Sequence, residues 1–177
     1  MGRILSRKFY QRDTLQVAEE LLGCFLMCKN KDKFWRARIV EVEAYIGEDD
    51  LACHARVGKT KRTEVMYGEA GHAYVYLIYG MYNCLNVVTE SLGFPAAILI
   101  RAVEIEGVPH KETNGPGKLC RFLNIDRSFN THDLMLGKKL WIEKGKKRVG
   151  EKVVKSKRIG VEYAKRCKDY LWRFELK

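Results

Sequence analysis

Arg38-Ile39-Val40-Glu41-Val42-Glu43-Ala44-Tyr45 alternates apolar and polar side chains, the two-residue period of a β-strand. Val40, Val42 and Ala44 fall on one face, and Glu41, Glu43 and Tyr45 on the other. The stretch extends back to Phe34, and Phe25 to Lys29 is β-rich as well, so the two read as a hairpin turning at Asn30–Lys33. Upstream, Asp13 is an N-cap with Gln16 three residues later. Leu15, Val17, Ala18, Leu21 and Leu22 have helical spacing and Gly23 is a natural stop, which predicts a short amphipathic helix over about 13–22.

Downstream, residues 46–71 carry glycine and charge without a long period and read as an extended functional loop. His72 to Tyr79 and Tyr82 to Thr89 are strand-like runs meeting at Gly80-Met81, and Pro95 to Glu104 is another strand. Asn114-Gly115-Pro116-Gly117 opens a helix to about Leu123, with proline where its missing N–H costs nothing. Further strands are expected at about 139–143, 158–163 and 170–175. Strands outnumber helices and hairpins dominate. The class is therefore α+β: one domain over 1–177, with a mainly antiparallel curved β-sheet, flanking short helices and a protruding β-hairpin.

The chain of 177 residues is 46% hydrophobic and 31% charged, with 33 Lys and Arg against 22 Asp and Glu, net +11. That excess points to phosphate backbones or anionic membranes as partners. No apolar run approaches the roughly 18 residues of a spanning helix, and Met1–Lys8 lacks an apolar signal core, so nucleic acid is favoured and a secreted protein is not expected. From Lys138 to Lys177 there are 15 Lys/Arg and 5 Asp/Glu. That tail reads either as a solvated lysine-rich surface or as a phosphate-contacting face. Cys24, Cys28, Cys53, Cys84, Cys120 and Cys167 show no C-x-x-C and no paired Cys/His spacing, so no metal or cofactor is expected and the thiols read as core residues.

Two features can carry chemistry. Glu41 and Glu43 lie roughly 6.6–7 Å apart on one strand face. They are either the polar outer face of a half-exposed strand or a catalytic carboxylate with a neighbour, and the latter needs a cation nearby. Arg101, which interrupts the apolar run Ala96–Val103, is a candidate, although it could equally be an edge-strand surface residue. The second feature is Tyr74-Val75-Tyr76-Leu77-Ile78-Tyr79-Gly80-Met81-Tyr82, with four tyrosines in nine residues. It reads either as a tyrosine-rich packed sheet or as a stacking platform and wedge for bases. Gly115-Pro116-Gly117-Lys118 is not a phosphate loop of the Walker type, because Glu112 and Leu119 stand where Gly and Ser or Thr are required.

These segments together resemble the alkyladenine (3-methyladenine) DNA glycosylase family. The resemblance rests on Phe9-Tyr10 and the first helix, Ala37–Tyr45, His54, Tyr74–Tyr82, Asn86, Leu99-Ile100-Arg101-Ala102, Gly115–Cys120 and Ile125–Phe129, and it fades after about residue 137. It implies a monofunctional enzyme that flips an alkylated purine from double-stranded DNA and hydrolyses its N-glycosidic bond without cutting the strand. Such substrates include 3-methyladenine and 7-methylguanine, with deaminated hypoxanthine open. Carried over by position, Glu43 is the general base and Arg101 helps hold the water. Tyr45, His54, Tyr76 and Asn86 form the base pocket, and Tyr79 is the intercalating wedge. Lys59, Lys61, Arg62, Gly117 and Lys118 are grouped as DNA-backbone contacts, although the loop 58–67 departs from the family pattern and Gly117 stands where a small hydroxyl residue is expected. The resemblance also implies a monomer without cofactor, acting in the cytoplasm or nucleoid of a prokaryote or in a eukaryotic nucleus. The rival reading is a non-catalytic nucleic-acid-binding module with an aromatic hairpin, which would have no use for Glu43 paired with Arg101.

Overall fold

The computed structural model describes residues 2–30 and 33–177, so the Asn30–Lys33 turn lies partly outside the described residues. Eight strands form one antiparallel sheet: β1 (Phe25–Asn30), β2 (Lys33–Ile46), β3 (Ala73–Ile78), β4 (Tyr82–Val88), β5 (Ala96–Glu104), β6 (Leu140–Glu143), β7 (Val153–Ser156) and β8 (Arg173–Leu176). Their spatial order is β3-β4-β5-β2-β1-β6, with β8 paired to both β2 and β7. The long strand β2 is the branch point. Lys33–Arg38 pair with β1, Arg38–Ile46 with β5, and Glu41–Glu43 with β8. Since β5 holds one edge of β2 from Arg38 to Ile46, β8 continues the edge that β1 leaves after Arg38. The α+β class and the antiparallel sheet are as the sequence predicts.

Three short α-helices, α1 (Arg7–Tyr10), α2 (Thr14–Leu21) and α3 (Pro116–Leu123), flank the sheet. In α2 the Asp13 carboxylate accepts from the Gln16 N–H, a cap contributing about 1 kcal/mol. Val17, Ala18 and Leu21 are buried with Val42, Ala44, Ile98 and Ile100 of the sheet, and Leu119 and Leu123 of α3 join the same cluster. The opposite sheet face carries a second cluster, in which Tyr74, Ala97 and partly buried Tyr45 and Tyr76 pack against Cys53, Ala55, Val65 and Met66. The predicted loop 46–71 is therefore a lid of two 3₁₀ turns, His54–Val57 and Glu64–Tyr67, seated on the tyrosine face. All six cysteines are free and buried.

The C-terminal region departs from expectation. Residues 158–163 do not form a strand: Gly160 sits at φ 74°, and Arg158 turns inward to bond Asp50 and two carbonyls. Side-chain-to-backbone bonds replace the sheet ladder there. The unanticipated β7 is an edge strand paired only with β8, and it is mostly exposed, so it leaves no alternation to read.

Candidate active site

The register between β2 and β5 slips twice, between Ile39 and Glu41 and between Glu41 and Val42. Ala102 faces Glu41 and Ile100 faces Val42, leaving Arg101 as an extra residue of its strand. A bulge re-aims such a side chain. Arg101 points across β2, its Nε donating to Glu41 Oε1 at 2.9 Å and its Nη1 lying 3.4 Å from Glu43 Oε2. β5 is an interior strand, so the edge-strand reading of Arg101 does not hold.

Glu43 is fully buried, which removes the half-exposed-strand reading of this face. What covers it is the C-terminal segment. The Ile159 N–H donates to Glu43 Oε1 at 2.8 Å, and the Tyr45 hydroxyl donates to Oε2 at 2.8 Å. Burial pushes the Glu43 carboxyl above its ordinary value, while Arg101, the Ile159 N–H and the Tyr45 hydroxyl pull it down and Glu41 adds to the rise. Burial also acts to lower Arg101, but Glu43 and Glu41 more than offset it and leave the guanidinium above its usual range. Glu41, whose role spacing alone left open, is a structural counter-ion. Its Oε1 accepts from Arg101 and, at 2.6 Å, from Arg173 of β8.

Beside Glu43 lies a cleft of about 390 Å³ walled by Tyr45, Arg101 and Ile159, the residues that touch this carboxylate, and by His54, Tyr76 and Asn86 among others, while Glu43 itself sits behind this wall. Its volume falls in the range of small-molecule sites. The rings of His54 and Tyr76 meet edge-on with centroids 4.5 Å apart, and Tyr74 lies 5.1 Å from Tyr76. His54 Nδ1 is 2.9 Å from the Tyr74 hydroxyl. Burial first, then Arg62 and Arg56, lower the His54 pKa to about 4, so the ring is neutral at pH 7. In the tautomer whose Nδ1 accepts from the Tyr74 hydroxyl, Nε2–H is the remaining donor, and in the tautomer whose Nδ1–H donates to it, Nε2 is an acceptor. Asn86 is buried on β4 and donates to the Tyr74 and Cys84 carbonyls, which fixes its amide at the pocket floor.

Tyr79 caps the β3–β4 hairpin at 85% exposure. It holds φ 50°, with Gly80 at φ 69°, a conformation that non-glycine residues rarely adopt. Met81 and Tyr82 beside it are also exposed. Arg62 is exposed at the cleft rim, its guanidinium 5.3 Å from the Tyr76 ring centroid. Lys59 and Lys61 are exposed on the same loop. Lys118 is tethered to the Asn114 side chain at 2.8 Å and to the Lys111 carbonyl at 3.1 Å. Gly117 has a packing role: a Cβ there would sit 2.9 Å from Tyr82 Cδ1, so the glycine lets α3 close on the hairpin.

Sequence reasoning missed Asp50, Arg158 and the cleft-lining Ile159, Gly160, Val161 and Tyr163. The tail seen only as a basic surface or phosphate face also supplies one wall of the cleft. Among the described residues, no group of three His, Cys, Asp or Glu side chains could hold a metal ion, and no helix is long and apolar enough to cross a membrane.

A family model described as methylpurine-DNA glycosylase matches residues 8–177. The likeness thus runs to the last residue rather than fading near 137, because the segment closing over Glu43 belongs to it. A protein of Methanocella arvoryzae is 49% identical over 97% of this chain and 91% of its own length. One of Legionella pneumophila strain Corby is 49% identical over 99% of this chain and 95% of its own. A third, of Clostridium acetobutylicum, is 46% identical over 98% and 94%. Each carries the provisional name 3-methyladenine DNA glycosylase.

Proposed function

The chain belongs to the methylpurine-DNA glycosylase family, a DNA glycosylase and thus a hydrolase acting in DNA repair, and on that premise we propose that it excises alkylated purines by a Glu43-activated water. Substrates of the 3-methyladenine and 7-methylguanine type fit the chemistry. Alkylation at a ring nitrogen makes the purine cationic, so it leaves as a neutral base without prior protonation. The water oxygen attacks C1′ as the C1′–N bond breaks, Glu43 takes the water proton, and the bond electrons neutralise the departing base. A hydroxyl is left on the abasic sugar. Hypoxanthine, being neutral, would require protonation of its leaving group.

The observation that carries this reading is the convergence of Glu43, Tyr45 and Arg101 beside an aromatic cleft. A buried carboxylate with a raised pKa is a stronger base, while Arg101, 3.4 Å from its Oε2, favours the ionised form that accepts a proton. Tyr45, Tyr76 and the neutral His54 would enclose the flipped ring. A cationic purine between tyrosines gains cation–π attraction. Tyr79 would fill the gap left in the stack, offsetting a flipping cost of a few kcal/mol. Among the described residues no lysine lines the cleft, which supports simple hydrolysis over an amine-linked strand cut.

The test is Glu43→Gln on duplex DNA carrying one defined lesion at a time, with the released bases identified. Excision should fall by about 10²–10⁴ while binding to the lesion duplex persists. Undiminished release of free base would remove Glu43 as the base, and no release by the wild-type protein would return the non-catalytic binding module.

A further inference from the structure

Arg158 and Asp50 take no part in the chemistry above, yet both are buried, at 4% and 2% exposure. Their contact is bidentate: Nη1 donates to Asp50 Oδ2 at 2.5 Å and Nη2 to Oδ1 at 2.8 Å. Nη1 also donates to the Ala44 carbonyl at 2.9 Å and Nη2 to the Cys167 carbonyl at 3.1 Å. Asp50 in turn accepts from the Ala52 N–H at 3.1 Å and the Ile46 N–H at 3.3 Å. The guanidinium lies 4.8 Å from the Tyr45 ring centroid and 5.1 Å from that of Trp172. One ion pair therefore ties the end of β2, the loop leading to His54, and the segment carrying Ile159. Burying two ions is weak evidence for stability, because an apolar filling often does as well. A positional role accounts for their presence better.

We propose that the Arg158–Asp50 pair is a positioning latch that holds the Ile159 N–H on Glu43 and the His54 wall opposite it. Ile159 N–H belongs to the peptide plane that follows Arg158, so fixing the Arg158 side chain fixes the direction of that donor. The same pair sets the start of the loop from which His54 projects. Both walls of the cleft thus take their spacing from one fork of hydrogen bonds. The proposal rests on Glu43 being the base. Groups facing Glu43 are Glu41 and Tyr45 on its own strand, Cys84 on β4, Arg101 on β5 and Arg158 itself; Arg173 on β8 reaches Glu41. Releasing the Ile159 donor weakens the hold on the ionised carboxylate, so the base becomes protonated at higher pH.

Asp50→Asn and Arg158→Lys, each compared with wild type, test this by single-turnover excision against pH, affinity for the lesion duplex, and hydrogen exchange at the Ile159 amide. The expected result is a rate loss of about 10–100-fold, an acid limb moved to higher pH, affinity within about threefold, and faster exchange at Ile159 but not at Ile39 in the core. Asp50→Glu, which keeps the charge, should recover part of the rate. A folded variant with the wild-type acid limb and Ile159 protection overturns the latch. If both variants fail to fold, Ile159→Pro removes the donor while leaving both ionic side chains in place, Ile159→Ala controls for the lost side chain, and an acid limb no different between the two overturns it instead. An active Glu43→Gln enzyme would strike the base assignment itself, whereas an inactive one beside unshifted latch variants strikes only the latch.

Discussion

The Tyr45 hydroxyl donates a 2.8 Å hydrogen bond to Oε2 of Glu43, two residues behind it on the same strand face. A tyrosine proposed to stack on the base thus also tunes the carboxylate proposed to activate the water. The bond favours ionised Glu43, so deleting it raises the carboxyl pKa further. Tyr45→Phe keeps the ring and loses the hydroxyl. Its excision rate should fall by about 10-fold, in keeping with a hydrogen bond to a charged group. The loss should grow as pH falls, because the acid limb moves up. A rate profile parallel to wild type at every pH would separate the two roles.

Glu43 should also trade stability for function. Its folded-state pKa lies above the ordinary value, so the ionised form costs stability, and that cost appears as pH rises above the unfolded-state value of about 4.3. Glu43→Gln removes the charge. Its Tm should exceed wild type at pH 7.5 by about 2–4 °C, the shift of roughly 1 kcal/mol in a domain of this size. The gain should shrink toward pH 4, where both proteins are neutral at this position. Thermal melts at the two pH values decide it, and a loss at pH 7.5 would mean that the bonds from Ile159 and Tyr45 outweigh desolvation.

Tyr79 combines exposure with a positive φ, so its cost in the free protein is local strain, of order 1 kcal/mol. Tyr79→Gly should therefore raise Tm slightly while weakening binding to lesion duplex. A stacked aromatic contributes about 1–3 kcal/mol, so affinity should fall roughly 5–150-fold. Equal affinities for the variant and wild type would place the wedge elsewhere on the tip, at Met81 or Tyr82.

How much of this was legible in the sequence varies along the chain. Local periodicity identified β2, and cap chemistry identified α2 and α3, because each depends on neighbours within a few residues. The pairing of Glu41 and Glu43 on one face was legible for the same reason. Choosing Glu43 over Glu41 required the family resemblance, and the structure supplies a physical ground: Glu41 is held by two arginines, whereas Glu43 adjoins Tyr45 and Ile159. Residues 158–163 were misread as a strand because their partners, Asp50 and Ala44, lie 108 and 114 positions away. No local pattern records such a contact. Gly117 likewise carries a constraint that its own neighbours do not show, the Tyr82 side chain of a hairpin distant in sequence.

Arg62 separates electrostatic from stacking contributions to DNA binding. It is exposed on the 58–67 loop, lies over the Tyr76 ring, and helps depress the His54 pKa after burial. If it also neutralises a phosphate, Arg62→Gln should lower the slope of log affinity against log salt by about 0.9. Lys59→Gln and Lys61→Gln should each do the same without touching the cleft. Only the Arg62 variant should also slow excision from the fully bound complex, because only Arg62 reaches the pocket wall. His54 would remain neutral at pH 7 in that variant, since burial is the larger cause of its shift, so the slowing should be independent of pH between about 6.5 and 8. Binding measured at several salt concentrations, with single-turnover rates at saturation, resolves the two contributions; unchanged slopes in all three variants would move the phosphate contacts to the basic C-terminal region.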